Sequence, residues 1–158
     1  MGVVLYRVDE RLIHGQVVIG WGRRLDPQCY VVVDDDLAAQ TWEQELYRLA
    51  LDGAQIRFLT VAEARGELPA LQSAPERTLL LTRDVAHMAR LAAGGLMEGT
   101  AVNLGGVHHR PGRTEVRSYL HLDEEDREAL RALAAEGVTV SGQDLPEASR
   151  VQLEALLS

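Results

Sequence analysis

The 158-residue chain contains no lysine, a single cysteine, one phenylalanine and no long hydrophobic run. Cys29 has no second cysteine to pair with, which excludes an internal disulfide and fits a reducing compartment. No stretch approaches the roughly 20 apolar residues of a membrane-spanning helix, and no basic segment followed by an apolar one opens the chain. We therefore expect a cytoplasmic protein without direct membrane insertion, which reaches a membrane only through a partner.

Acidic residues outnumber basic residues by 24 to 16, which gives a formal net charge of −8. This balance argues against a general nucleic-acid binder and against a protein held on anionic lipid. Hydrophobic residues make up 46% of the chain, enough for a buried core. The length predicts one domain over residues 1–158.

Apolar runs alternate with helical patterns along the chain. Runs typical of strands occupy residues 3–6, 30–33, 55–59, 78–82, 100–104 and 138–140, and the continuous apolar run at 30–33 is the kind expected of a strand covered on both faces. Helical spacing of apolar residues predicts helices between these runs, one with an apolar stripe of Ala38, Trp42, Leu46, Leu49 and Ala50. A terminal helix is expected from about residue 146 to 157. The alternation predicts a three-layer α/β/α domain with a mainly parallel central sheet of about six or seven strands.

Other local signals refine this outline. Thr60 and Glu63 have the spacing of a capping box, and Asp123 is followed by acids typical of a first helical turn. Residues 107–122 lack a helical stripe and predict a hairpin or extended excursion, with a turn at residues 110–113. We expect its second arm to contain Val116, Tyr119 and Leu120.

The segment from Arg7 to Val17 joins the first predicted strand to the first predicted helix. Ligands of open parallel sheets bind at the carboxyl ends of the strands, and a helix amino terminus attracts anions. Neutral imidazole is a good nucleophile near pH 7, and guanidinium groups match phosphate oxygens. This combination predicts that His14, with Arg7 and Arg11 beside it, handles a phosphoryl group.

Residues 9–17 read Asp9-Glu10-Arg11-Leu12-Ile13-His14-Gly15-Gln16-Val17. This order resembles the active-site loop of the IIB components of the mannose/fructose/sorbose family. These proteins belong to the bacterial phosphoenolpyruvate-dependent sugar phosphotransferase system. The resemblance implies that His14 accepts a phosphoryl group from a IIA phosphohistidine, at Nδ1, and passes it to a sugar held by membrane IIC and IID partners. It also implies that Arg11 assists the transfer, and that the chain is a protein-phosphohistidine sugar phosphotransferase.

The residues around His14 suggest supporting roles. Asp9 carries the same charge sign as a phosphoryl group, so it would act by orienting the imidazole or an arginine, or only by tying down the loop backbone. Arg7 could supply a second guanidinium fork to the phosphoryl group. Gly15, at the start of the predicted helix, is a further candidate for phosphoryl binding.

A second cluster, Asn103 to His109, follows the fifth predicted strand. Gly105 and Gly106 could let the backbone approach a phosphoryl group closely, although a simple turn explains the two glycines equally well. His108 and His109 would point to opposite sides of an extended segment, so at most one of them, taken here as His108, would face the site.

Other chemistries receive less support. A metal site built from His14, His108 and residues 34–36 has no recognised ligand spacing, so we expect neither a metal nor a cofactor. No P-loop, dinucleotide fingerprint or nucleophile elbow is present. An alternative function is a stand-alone regulatory or binding domain that reports its phosphorylation state to a protein partner. The sugar and any homo-oligomer are left open.

Overall fold

A seven-stranded sheet forms the centre of the structure, a computed structural model that describes residues 2–51 and 53–158. The strands are β1 (Gly2–Asp9), β2 (Cys29–Val33), β3 (Gln55–Leu59), β4 (Arg77–Thr82), β5 (Ala101–Gly106), β8 (Thr139–Gly142) and β9 (Val151–Gln152). They lie in the order β3-β2-β4-β1-β5-β8-β9, and each neighbouring pair is parallel except β8 with β9. The predicted mainly parallel sheet is confirmed.

Helices cover both faces of this sheet. They are α1 (Gly22–Leu25), α2 (Thr41–Leu49), α3 (Val61–Ser73), α4 (Val85–Ala92), α5 (Glu124–Ala135) and α6 (Leu153–Leu157), with a π-helix at Gln16–Trp21 and 3₁₀ turns at Leu37–Ala39 and Ala93–Gly95. Within the described residues, no helix is both long enough and apolar enough to cross a membrane.

The alternation of side chains along the strands separates two cores. In β2, Val31 and Val33 belong to the core shared with α3, α4 and α5, whereas Tyr30 and Val32 belong to the core shared with the π-helix. Successive residues of a strand point to opposite faces, so a strand that is apolar throughout needs cover on both sides. The three-layer α/β/α architecture follows from this pattern.

Both predicted helix starts are confirmed. The Thr60 side chain accepts a hydrogen bond from the Glu63 amide, and the Glu63 carboxylate accepts one from the Thr60 amide. Asp123 and Asp126 form the same reciprocal pair at the start of α5. Such caps satisfy amides that a helix leaves unpaired, and each contributes about 1 kcal/mol.

The predicted apolar stripe on α2 does not face the core. Trp42, Leu46 and Leu49 are 65%, 56% and 83% exposed, and α2 has no buried residue. The other side of α2 meets the protein through Tyr47, which packs against the core beside Phe58, and through polar side chains that find partners there. The Gln44 amide donates to two carbonyls of the 3₁₀ turn Leu37–Ala39, and Glu43 accepts a hydrogen bond from the arginine at position 83.

The last third of the chain departs from two expectations. The turn at residues 110–113 is present, but the hairpin strands β6 (Thr114–Arg117) and β7 (Leu120–Leu122) both follow it, so Val116 lies in the first arm. The long terminal helix is replaced by β9 and the five-residue α6. The Gln143 side chain donates to the carbonyls of Pro146 and Ala148, which occupies acceptors that a helix through this segment would need.

Candidate active site

The loop between β1 and the π-helix lies at the carboxyl edge of the sheet, and β1 itself is central, between β4 and β5. The loop begins with a tight turn in which the Leu12 amide donates to the Asp9 carbonyl at 3.0 Å. Leu12 has a φ of 56°, a left-handed conformation that costs a non-glycine residue about 1–3 kcal/mol. Its side chain is fully buried, and burial of a leucine gains about 1.5–3 kcal/mol, so packing offsets the strain and fixes the turn.

This turn brings His14 over Asp9. The His14 Nε2 lies 2.9 Å from Asp9 Oδ2, with the imidazole side chain 14% exposed and the carboxylate fully buried. Burial raises the pKa of Asp9, but the hydrogen bond from His14 and the charge of Arg7 outweigh it and hold that pKa below the ordinary value. An ionised carboxylate can only accept, so Nε2 carries the hydrogen. In the neutral form of the ring, the Nδ1 nitrogen of His14 then keeps its lone pair.

Arg7 lies underneath Asp9. Its side chain is completely buried and donates to Asp9 Oδ2 at 3.1 Å, to the carbonyls of Gln143 and Asp144 at 3.0 Å each, and to Asn103 Oδ1. We expected Arg7 to contact a phosphoryl group directly, but a guanidinium without exposed surface cannot reach an incoming ligand. In the structure Arg7 is the buried counter-ion of the Asp9 carboxylate.

Gly105 and Gly106 lie in β5, and both are buried against this pair. A Cβ on Gly105 would stand 1.9 Å from Arg7 Cζ, and one on Gly106 would stand 3.0 Å from Asp9 Oδ1. We expected these glycines to admit a phosphoryl group. In the structure they admit the side chains of Arg7 and Asp9 instead.

Arg11 and Gly15 remain at the surface of the loop. The Arg11 amide donates to Asp9 Oδ1 at 3.1 Å, and its guanidinium, 47% exposed, donates to Gln16 Oε1 at 2.9 Å. Gly15 precedes the π-helix with helical dihedral angles, and open space surrounds the position of a Cβ. Both residues are thus available to a ligand of His14.

His108 points to a different part of the loop. Its Nδ1 lies 3.2 Å from Glu10 Oε2, and its side chain is half-exposed. Glu10 also lines a cleft of about 370 Å³ with Glu43, Tyr47, Arg83, Asp84 and Arg110, at the same edge of the sheet. The structure therefore brings His108 to Glu10, next to the predicted site, with no described contact to His14.

Two of the three aspartates at positions 34–36, Asp34 and Asp35, have side-chain partners with a structural role. Asp34 Oδ1 accepts from the Leu37 amide, and Asp35 accepts from the Val61 amide and pairs with Arg90. They act as a strand end and turn cap, as the sequence favours. Across residues 2–51 and 53–158, no group of three or more His, Cys, Asp or Glu side chains is arranged to hold a metal ion.

The partners of Arg7 are the part of the site that sequence reasoning missed. Asn103, Gln143 and Asp144 hold its guanidinium, and the Trp21 ring lies against it, with Cζ 5.4 Å from the ring centroid. The Trp21 indole also donates to the Asp144 carbonyl at 2.8 Å. Only Asn103 gave a local signal, since it is a polar residue within an apolar strand pattern.

The fold and the site define a three-layer α/β protein with a carboxylate-oriented histidine at the carboxyl edge of its sheet. Residues 3–158 match the family model described as the PTS system sorbose subfamily IIB component. The chain belongs to this family of the sugar phosphotransferase system, and thus to a phosphotransferase family.

Similar proteins come from several transport systems. The mannose-specific EIIAB component of Escherichia coli strain K12 is 32% identical over the whole chain, which spans 49% of that relative. The chain thus covers about half the length of the mannose-specific relatives it matches. The N-acetylgalactosamine-specific IIB component 1 of the same strain is 30% identical, with 96% of each protein covered.

Solved structures share the fold at similar identity. The IIBSor domain of the Klebsiella pneumoniae sorbose permease superposes with a TM-score of 0.88 at 26% identity, covering 99% of this chain and 96% of that one. The manxB structure from Thermoanaerobacter tengcongensis gives 0.87 at 29% identity, covering 98% and 94%.

Proposed function

We propose that this protein is a phosphocarrier, in which His14 accepts a phosphoryl group from a IIA phosphohistidine and transfers it to a sugar held by membrane IIC and IID partners. The observation that carries the proposal is the hydrogen bond from His14 Nε2 to the buried Asp9 carboxylate. It orients the ring and leaves the Nδ1 lone pair as the nucleophile.

The transfer needs no proton to move between the two histidines. Nδ1 of His14 attacks the phosphorus, the N–P bond of the donor breaks, and the donor imidazole leaves as a neutral ring. The ring of His14 then bears the phosphoryl group on Nδ1 and a hydrogen on Nε2, so it is cationic. The Asp9 carboxylate stabilises this cation in a largely buried environment, where charge interactions are strong.

Arg11 supplies the charge that faces outward. Its guanidinium is about half-exposed and lies on the same loop as His14, so it can approach the phosphoryl oxygens while its amide stays bonded to Asp9. Guanidinium groups bind phosphoryl oxygens through paired hydrogen bonds. We assign Arg11 to stabilising the transferred group, with Gly15 leaving room beside it.

The sugar is one of those transported by the related systems, whose members are specific for mannose, N-acetylgalactosamine or sorbose. In the second step a sugar hydroxyl oxygen bonds to phosphorus, the N–P bond to His14 breaks, and the hydroxyl proton passes to a base of the membrane partners. The relatives that combine EIIA and EIIB in one name support a IIA domain as the donor.

Intact-mass analysis tests this proposal. The protein is incubated with phosphoenolpyruvate, the two general phosphotransferase proteins and a mannose-class IIA, and then treated briefly with acid. We expect one acid-labile phosphoryl group on the wild type, none on His14→Gln, and slower labelling of Arg11→Gln by about tenfold or more.

His87 provides a matched control, because it too is bonded to an aspartate at 2.8 Å, with its side chain 17% exposed. His87→Gln should be labelled like the wild type. Normal labelling of His14→Gln, or a phosphoryl group mapped to His87, would show that the site assignment is wrong. No labelling of the wild type by several active donors would instead favour a regulatory domain.

A further inference from the structure

Arg113 is a buried cation surrounded by carboxylates from distant parts of the chain. Its side chain is 2% exposed, and its guanidinium lies 2.7 Å from Glu10 Oε1, 3.2 Å from Asp126 Oδ2 and 3.9 Å from Asp123 Oδ2. It also donates to the His108 carbonyl at 3.0 Å. One side chain thus connects the active-site loop, the start of α5 and the segment after β5.

Such a buried ion pair adds little net stability, so its contribution lies in the geometry that it fixes. Burial of a cation and of carboxylates removes their hydration, and well-packed hydrophobic residues often give equal stability. Burial lowers the pKa of Arg113, but the bond to Glu10 and the charges of Asp126 and Asp123 outweigh it, so the guanidinium stays charged. The charged Arg113 guanidinium can therefore act as a fixed link to Glu10.

Glu10 connects the ion pair with Arg113 to the candidate active site. It lies between Asp9, which orients His14, and Arg11, whose amide bonds to Asp9 Oδ1 at 3.1 Å. The Glu10 amide donates to the Gly106 carbonyl at 2.9 Å, so both its backbone and its side chain are held. Movement of Glu10 would turn the adjacent peptide groups and shift both neighbours together.

We propose that Arg113 is a positioning residue for the phosphoryl transfer, which sets the turn carrying Asp9 and Arg11 by holding Glu10. This rests on the proposed function of His14. Arg113 touches none of the reacting groups, so its loss should slow the transfer step and leave donor binding nearly unchanged. In metal sites, groups that orient a ligand histidine contribute about 10–100-fold to affinity or activity, and we expect an effect of the same order here.

Single-turnover transfer from phosphorylated IIA tests the link in the full chain. We expect Glu10→Gln and Arg113→Gln each to lower the maximal rate about tenfold, with the half-saturating IIA concentration within about twofold of wild type. Arg113→Lys should recover part of the rate, since it keeps the charge without the planar fork. The double variant should be no slower than the slower single variant, because both remove one interaction.

The ion pair of Arg57 with Glu67, at 2.7 Å, is the matched control, and Glu67→Gln should transfer at the wild-type rate. A second readout needs no donor. The proton on His14 Nε2 should give a protected NMR signal in the wild type and in Glu67→Gln, but a weakened or lost one in Glu10→Gln.

Several outcomes separate the two proposals. Wild-type protein that takes up no phosphoryl group refutes the proposed function, while the NMR signal still decides whether Arg113 and Glu10 position His14. Wild-type rates together with a wild-type signal in Glu10→Gln overturn the inference. If Arg113→Gln unfolds because α5 loses its contact, Glu10→Gln decides alone, since Glu10 makes no described contact with α5.

Discussion

Gly105→Ala adds one methyl group and should disturb the candidate site from its buried side, where Arg7 lies. The new Cβ would lie 1.9 Å from Cζ, 2.0 Å from one terminal nitrogen and 2.4 Å from Nε of Arg7. Carbon atoms in contact need about 3.5–4.0 Å, so the guanidinium has to move well over 1 Å. It cannot do so without breaking hydrogen bonds to Asp9, Asn103 and the carbonyls at positions 143 and 144.

The expected loss of unfolding free energy follows from the costs of two kinds of change. Added methylenes in packed cores cost about 1–3 kcal/mol, and separation of a buried ion pair costs about 3–5 kcal/mol. We expect Gly105→Ala to lower the free energy of unfolding by about 3 kcal/mol, which corresponds to a fall in Tm of roughly 6–12 °C for a domain of this size. Phosphoryl transfer should also slow, since Asp9 loses its counter-ion.

Urea unfolding measures the stability, with Gly66→Ala as the control. Gly66 lies within α3, is exposed, and has open space around the position of a Cβ, so alanine there should stabilise the protein by about 0.5–1 kcal/mol. Equal stability and equal transfer rates for the two variants would refute the argument that Gly105 makes room for Arg7.

Two further predictions concern pH. Asp9 has a lowered pKa, so its ionised form stabilises the fold above pH 3.8, and that stabilisation is lost as the pH falls through the lower native value. Asp9→Asn should lose about 3 kcal/mol at neutral pH because Arg7 remains buried without a counter-ion, and its urea-unfolding free energy should depend less on pH below about 4. The pKa of His87 is raised, mainly by its hydrogen bond to Asp84, so its contribution is complete below pH 6.5 and is lost as the pH rises through the native value. His87→Gln should cost about 0.5 kcal/mol at pH 6 and less at pH 9, and an NMR titration giving His87 an ordinary pKa would contradict this.

The orientation of α2 is set by its contacts and not by the spacing of its apolar residues. The Trp42, Leu46 and Leu49 stripe has the spacing of a buried helix face, yet it lies in solvent. Periodicity shows that a helix has an apolar face, but the side of α2 that meets the protein carries Tyr47, which packs against Phe58 of β3, and polar groups with partners there. Glu43 and Gln44 have such partners, and so the helix lies with its apolar face outward.

The sequence alone determined the elements whose cause is local. Six strands of the central sheet follow from apolar runs, whereas β9 lies where a helix was expected. The two capping boxes follow from polar residues three positions apart. The grouping of Asp9, Arg11 and His14 was predictable in part, since five residue steps span at most about 18 Å. The turn at Leu12 then brings His14 within 2.9 Å of Asp9. Physical proximity along the chain carried this information.

Only the tertiary structure decided how that group is held. Arg7 reaches partners 96 to 137 residues away, and Arg113 meets Glu10 across 103 residues. No local pattern encodes such contacts, because they exist only once β1, β5 and β8 lie side by side and their carboxyl ends share one edge. The sequence therefore places the candidate nucleophile, whereas the packing of the sheet creates the buried charges beside it.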